Sequence, residues 1–317
     1  MIFSPKKNAQ GFGLVELMIA LLLASFLILT AATLLMQSSR ENHRAEEARI
    51  LQANGRVAMR VLEQALSISG YWGGIVDKQL IVGSELTVSN DCGEADTDWA
   101  LNPNRSDLIF YNNISSSINE DRCFVSNEVL ENTDIISTRY VNTDTVNTPH
   151  ENGTFLKTNS LTGTLFQGAV VPALPSGIAS IRQVGVEMFY ISKPSGTQAP
   201  SLCSKSLATT AKAMETACLV SGVENLQIEF GIDSDQDLSI DYYSSNPSEA
   251  ELDLALNAKL YLLIRNESPI TGYTNTKTYT LGSVTVAAKN DTYLREVFSS
   301  TVLLRNHGLA KVRVVGI

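Results

Sequence analysis

Basic charge is what this sequence lacks most. It has 24 Lys and Arg against 33 Asp and Glu in 317 residues, a formal net charge of −9, and a pI near 4.9. Nucleic-acid affinity rests on neutralising phosphates, so a chain this acidic has no electrostatic basis for it. Charged side chains make up only 18% of the whole, and there are 3 histidines and 4 cysteines. No HExxH, GxSxG or phosphate-binding loop occurs, and His43, His150 and His307 are scattered, reading as surface residues. Ser4-Pro5-Lys6-Lys7 formally matches SxxK, but so close to the N-terminus a nucleophile would have no pocket. The paired carboxylates Glu46 and Glu47 sit on one charged stretch and read as solvated. No CxxC is present and no cysteine has a histidine at zinc spacing, which argues against zinc. No catalytic residue and no cofactor is expected. Asn, Ser and Thr are abundant, a composition common outside the cytoplasm.

What the chain does have is one long apolar run. Leu14–Met36 carries a single charge, Glu16. At ~1.5 Å per residue a helix of that length spans the roughly 30 Å hydrocarbon core of a bilayer. Met1–Gly11 precedes it with Lys6, Lys7 and no acid. Positive charge beside a hydrophobic span keeps that end in the cytoplasm, which predicts a single pass of the inner membrane with the C-terminal region periplasmic. A secretory signal fits poorly, because its apolar region is shorter and its cleavage site follows that region. Here the feature resembling a processing site comes first: Gly11-Phe12, then Gly13-Leu14-Val15-Glu16. This order resembles a type IV prepilin leader, with cleavage between Gly11 and Phe12. The resemblance implies N-methylation of Phe12 and an assembly role for Glu16, facing the N-terminal amine of a neighbouring subunit. An acid in a membrane helix costs about 2.5–3.5 kcal/mol at mid-bilayer and less near the interface, and an opposite charge would offset it.

The helical pattern continues past the span. Gln37–Leu66 lacks proline and is rich in helix formers. Ile50, Val57, Val61 and Ala65, with Leu51, Ala58 and Leu62 alongside, predict a stripe that packs on a domain, with Gly55 as a weak point. Ser69-Gly70 and Gly73-Gly74 supply the stop near Ser67. Beyond Trp72 short apolar runs alternate with turn residues, which predicts strands at 107–112, 135–141, 184–192, 258–266, 278–287, 294–305 and 310–315, and loops at 172–177 and 194–201. Leu226, Ile228, Phe230 and Ile232 alternate with Gln227, Glu229 and Gly231, the pattern of a half-buried strand. Without helical crossovers, the expected fold class is α+β: a long N-terminal helix packed on an antiparallel, β-rich region. The expected divisions are 1–11 leader, 12–36 membrane half of the helix, 37–70 its soluble half, 71–220 a first β-rich region and 221–317 a second.

Cys92, Cys123, Cys203 and Cys218 all fall in the part expected to be exported, where disulfides are the default. Four cysteines allow three pairings, and the sequence alone does not choose. Cys92–Cys123 and Cys203–Cys218 is the expected set, being sequence-local and in Gly-, Asn-, Asp- or Ser-rich stretches read as loops. Asp233, Asp235 and Asp237 have the spacing that opens a calcium loop, but position 6 is Leu238 and position 12 is Ser244. A solvated acidic turn is the expectation there, and calcium a secondary candidate.

With leader, helix and strands in place, the chain resembles the PilW family of minor type IV pilins. The segments that carry this are Asn54-Gly55-Arg56, Ser69-Gly70-Tyr71-Trp72-Gly73, Gly222-Val223-Glu224-Asn225-Leu226-Gln227, Phe230-Gly231-Ile232-Asp233, Tyr279-Thr280-Leu281-Gly282, Leu294-Arg295-Glu296-Val297-Phe298-Ser299 and Leu304-Arg305-Asn306. The resemblance implies a non-catalytic subunit, processed by a prepilin peptidase and assembled with other minor pilins. Such subunits prime a pilus and sit in its tip complex at the cell surface, supporting motility, adhesion or DNA uptake. A pseudopilin of a type II secretion system shares the leader and helix, and a bitopic periplasmic binding protein or enzyme would match the leader by accident. These are the two alternatives.

Overall fold

The computed structural model describes residues 13–83, 86–89, 100–103, 105–112, 124, 128–173, 178–193, 196 and 198–307. One helix, α1 (Leu14–Ile68), opens it. The chain forms two units, Met1–Ala48 and Arg49–Ile317.

In the first unit the apolar stretch of α1 is bare. Its most apolar window has a mean hydropathy of 2.5 and is 0% buried, and among the described residues α1 is the one helix long and apolar enough to cross a membrane. Its polar atoms are dealt with locally. Ser25, Thr30 and Thr33 donate their hydroxyls to the carbonyls of Leu22, Leu27 and Thr30, one turn back. A hydroxyl satisfied within its own helix costs little in lipid.

In the second unit α1 buries Leu51, Gly55, Ala58, Met59, Leu62, Ala65 and Leu66. This stripe lies about one residue off the expected one: Val57 is 53% exposed, Ile50 is half-buried and Val61 is partly buried. Gly55, far from being a weak point, is a point of closest approach, since a Cβ there would sit 2.4 Å from the Phe298 ring. The helix ends where Gly70 adopts φ +76°, and the Asn306 side chain donates to the carbonyls of Ile68 and Ser69 at its end.

The strands are β1 (Ile81–Gly83), β2 (Leu108–Tyr111), β3 (Ile135–Val141), β4 (Thr154–Thr158), β5 (Gly163–Gln167), β6 (Ser180–Ser192), β7 (Ser201–Leu207), β8 (Met214–Ser221), β9 (Val223–Ile232), β10 (Tyr242–Ser244), β11 (Ala255–Arg265), β12 (Tyr279–Leu281), β13 (Val284–Val286) and β14 (Arg295–Leu303), with a one-turn helix α2 (Glu249–Leu252) before β11. The first sheet runs β1-β5-β4-β6-β3-β2, with β7 on β6 and β8 on β7; the second runs β10-β9-β11-β14; β12 and β13 pair as a hairpin. Pairing is antiparallel except for β1 on β5. The long apolar-polar run at 278–287 is two short strands, because Gly282 at φ +58° turns the chain back on itself. Residues 310–315 lie outside the described residues.

Alternation along β6 explains how one core becomes two. Phe189 and Ile191 face a cluster that joins α1, β9, β11 and Val302 of β14, while Val184, Val186, Met188 and Tyr190 face a second one with Trp72, Ile135 and Cys203. Strand β9 departs from the half-buried expectation: Gln227 is 4% exposed and Gly231 is also buried. Gly282 of the β12–β13 hairpin comes down beside Glu229, where a Cβ would meet that side chain at 2.6 Å and Tyr261 at 2.9 Å, while Ile240 and Tyr243 close over Gly231.

Candidate functional site

The residues read as functional from the sequence fall at three separate places. Glu16 is the acidic residue of the first turn of α1 and is exposed. A carboxylate there suits the positive end of the helix dipole. The Gly11–Phe12 bond lies outside the described residues, as do Cys92 and Cys123.

Cys203 and Cys218 are bonded to each other. They sit directly opposite one another on β7 and β8, not in loops as their serine-rich neighbours suggested. Along Ser201-Leu-Cys-Ser-Lys-Ser-Leu207 burial does not alternate: Leu202, Cys203 and Ser204 are buried in a row where the register shifts, and Leu207 is buried at the far end. The link holds β8, whose one strand partner among the described residues is β7, and its constraint acts chiefly on the unfolded chain.

Asp233, Asp235 and Asp237 follow β9, each offering a carboxylate oxygen within 4.8 Å of the others. Those oxygens are already at work closing the turn. Asp233 accepts from the backbone amides of Asp237 (3.1 Å) and Leu238 (2.9 Å), Asp235 from Asp237 (3.2 Å), and Asp237 from Ser239 (2.7 Å). The hydrogen bond from Asp237 favours the charged form of Asp235, but desolvation and the neighbouring Asp237, Asp241 and Asp233 charges together hold its pKa above the ordinary value. The turn joins two antiparallel strands, so it is not the helix–loop–helix of an EF-hand. The geometry is that of a self-closed acidic turn.

The histidines do not converge. His43 is 3.9 Å from Glu47, whose side chain is 13% exposed and so less solvated than expected. His150 packs on Phe155. His307 is 8% exposed against Ser69, correcting its reading as a surface residue.

Three buried polar nodes were not visible in the sequence. Arg139, fully buried on β3, reaches the carbonyls of Asn102 and Arg105 and the carboxylate of Asp107, which also accepts from the Trp72 indole at 3.1 Å and meets Lys78 at 3.2 Å. Arg295 at the start of β14 binds Glu224 at the start of β9 (Nη2–Oε1 3.0 Å) and Asp291 (2.6 Å to each oxygen), with Lys289 adding 3.1 Å to Glu224. Burial disfavours charge on Glu224, yet Arg295 and Lys289 outweigh it and hold its pKa below the ordinary value. Arg295, Glu224 and Asn306 all lie in segments that carry the family resemblance, as do the contact partners Gly55 and Phe298. Those motifs are therefore mutual contacts, a signal that spacing along the chain does not reveal.

In the third node burial pushes the Glu187 pKa up, against a hydrogen bond from Tyr140 that favours the charge. A raised folded pKa gives stability that is complete below the ordinary 4.5 and is lost as pH rises through the folded value. Glu187→Gln keeps an acceptor for Tyr140 and does not titrate. It is expected to melt a few degrees higher than wild type at pH 7, with the gap closing toward pH 4.5. A higher melting temperature for wild type at neutral pH would refute this.

Residues 188–306 match the family described as Type IV Pilus-assembly protein W, and residues 6–32 match the prokaryotic N-terminal methylation motif. No curated protein matches the chain. Among solved structures, a type IV-like pilin, TTHA1219 from Thermus thermophilus, is similar at 12% identity and a TM-score of 0.37, over 81% of this chain and 98% of that one. The chain thus joins an N-terminal segment that matches the prokaryotic methylation motif to a later segment similar to the Type IV Pilus-assembly protein W family.

Proposed function

We propose that the protein is a non-catalytic minor pilin of a type IV pilus, assembling with other minor pilins to prime the pilus and sit in its tip complex. The observation that carries this reading is a conjunction. The methylation motif at 6–32 overlaps an apolar helix with no buried residue in its most apolar window, and a PilW-type segment follows in the same chain. In this reading residues 1–11 are the leader, removed by a prepilin peptidase between Gly11 and Phe12, and Phe12 becomes the methylated N-terminus. Residues 12–36 hold the chain in the inner membrane, with 37–317 in the periplasm until assembly. Residues 71–220 and 221–317 are its two β-rich regions, and Cys92–Cys123 is a disulfide of the first.

Intact-mass measurement of the protein purified from cells making pili tests it. The expected mass is that of Phe12–Ile317 plus one methyl group, less the hydrogens lost to two disulfides. A mature chain that retains Met1, or that begins beyond the apolar run, would overturn the reading.

A further inference from the structure

Between the outer flank of α1 and strand β14 lies an open groove of about 490 Å³, lined by Arg60, Glu63, Gln64, Thr301, Leu303 and Arg305 among others. Three features of it point one way. First, β14 pairs only with β11, so its other edge carries no strand among the described residues. Edge strands are ordinarily blunted by lysine, proline or inward charge; β14 has its inward charge at its first residue, Arg295, and Val297-Phe-Ser-Ser-Thr-Val-Leu303 beyond it has none of these. Second, Arg60 and Arg305 line the groove and Arg56 is exposed one turn before Arg60, and none of the three has an ion-pair partner among the described residues. Glu63, the carboxylate in the lining, is engaged by the Ser300 hydroxyl. Third, Leu303 is 53% exposed beside these arginines. A basic groove is unexpected on a chain whose net charge is −9.

We propose that this groove docks an extended, acidic segment of a partner protein, added as a strand on the free edge of β14. The backbone edge supplies the hydrogen bonds, Leu303 takes an apolar side chain, and Arg60 and Arg305 take carboxylates from the two walls. The side chains of residues 308–317 do not answer this charge, for they include Lys311 and Arg313 and no Asp or Glu. The same positive groove lets an acidic neighbour approach a molecule that would otherwise repel it.

The test uses the full chain in detergent micelles and a labelled eight-residue probe alternating Glu and Val, with a Lys–Val peptide as its opposite. Fluorescence anisotropy is expected to show binding of the Glu–Val probe alone, weakening as salt rises. Arg60→Glu with Arg305→Glu should weaken it about tenfold or more, and the milder Arg60→Gln with Arg305→Gln by less. Both arginines lie on the surface of the groove, and an unchanged melting curve verifies that folding is intact. Amide exchange should slow within 297–303 when the probe binds. Equal binding of both peptides, indifference to charge reversal, or protection elsewhere would overturn the proposal. So would probe binding that appears only after truncation at His307, which would give the groove to the chain's own tail. Self-association abolished by the same reversals would give it to a second copy, and would overturn the proposal equally.

Discussion

Arg295→Met is expected to destabilise the second unit by about 3–5 kcal/mol, read as a large drop in unfolding midpoint for the full chain in detergent. The guanidinium is 2% exposed and sits between two carboxylates, the 5% exposed Glu224 and the half-open Asp291. Removing it leaves Glu224 buried with Lys289, 47% exposed, at 3.1 Å and the more distant Arg265 at 3.9 Å. Stabilities of single domains are commonly about 5–15 kcal/mol, so the loss is a large share of the total. Arg295→Lys keeps a charge but cannot fork to both acids, and should fall between wild type and Met. The pH dependence follows from the sign of the shifts. The hydrogen bond from Arg295 is the main cause holding Asp291 low, and Glu224 is also depressed. A depressed carboxylate contributes stability that is present above its unfolded pKa, ordinarily 3.8 for Asp291 and 4.5 for Glu224, and is lost as pH falls through the folded value. The gap between wild type and Arg295→Met should therefore be widest at neutral pH and narrow below about pH 4. A loss under ~1 kcal/mol, or a gap that does not change with pH, would mean that the node is no more than a surface pair.

The parts of this fold that could be read in advance are those whose cause lies within a few residues. A run such as Leu14–Met36 declares itself by length, and strands such as 135–141 by β-branched content and flanking turns. The helix stop at Gly70 shows for the same reason: a left-handed residue after a helix is a local need. What went astray depends on partners far along the chain. Val57 fits a helical stripe as well as Leu51 does, but Phe298 approaches the helix at Gly55 and sets which face is inside. Gln227 is polar and was expected to face water, yet it is buried and bonds Asn225 (2.8 Å) and the Asn132 carbonyl (3.1 Å), a partner far along the chain. Cys203 and Cys218 pair in strands whose burial does not alternate, with Leu202 to Ser204 buried in a row and Glu215 to Leu219 exposed in a row, so no period of two marks them in the sequence.

The candidate site was legible to a different degree at each end. At the N-terminus the chemistry is written in order along a few residues, from Lys6 and Lys7 to Glu16. The groove beside β14 had no such signature. Arg60 and Arg305 are far apart in sequence, and their meeting depends on β14 returning along α1, with Glu63 reaching Ser300 and Asn306 capping the helix end. Arginines without an ion-pair partner among the described residues become informative only once the sheet order shows that no described strand lies on the edge beside them.

Glu16→Gln is expected to separate membrane residence from assembly. The substitution preserves size and removes the charge in the first turn of α1, so the cost of placing that turn in lipid falls and membrane abundance should hold or rise. Leader removal should continue, because Gly11, Phe12 and the two lysines are untouched. A carboxylate that merely reaches headgroups would leave assembly unaffected. A carboxylate that meets the protonated N-terminal amine of a neighbouring subunit would not: an α-amine has a pKa near 7.7–8, so it is charged at neutral pH and would enter the membrane interior unpaired. The expected result is a variant processed and abundant in membranes but reduced about tenfold or more in sheared pili. Glu16→Asp, which keeps the charge on a shorter arm, should recover part of that loss. The reading depends on the ratio of pilus to membrane signal, because a folding defect lowers both while a docking defect lowers one. Normal incorporation of the Gln variant would strip Glu16 of its assembly role and leave it an interfacial acid, tolerated because the bilayer edge is wet.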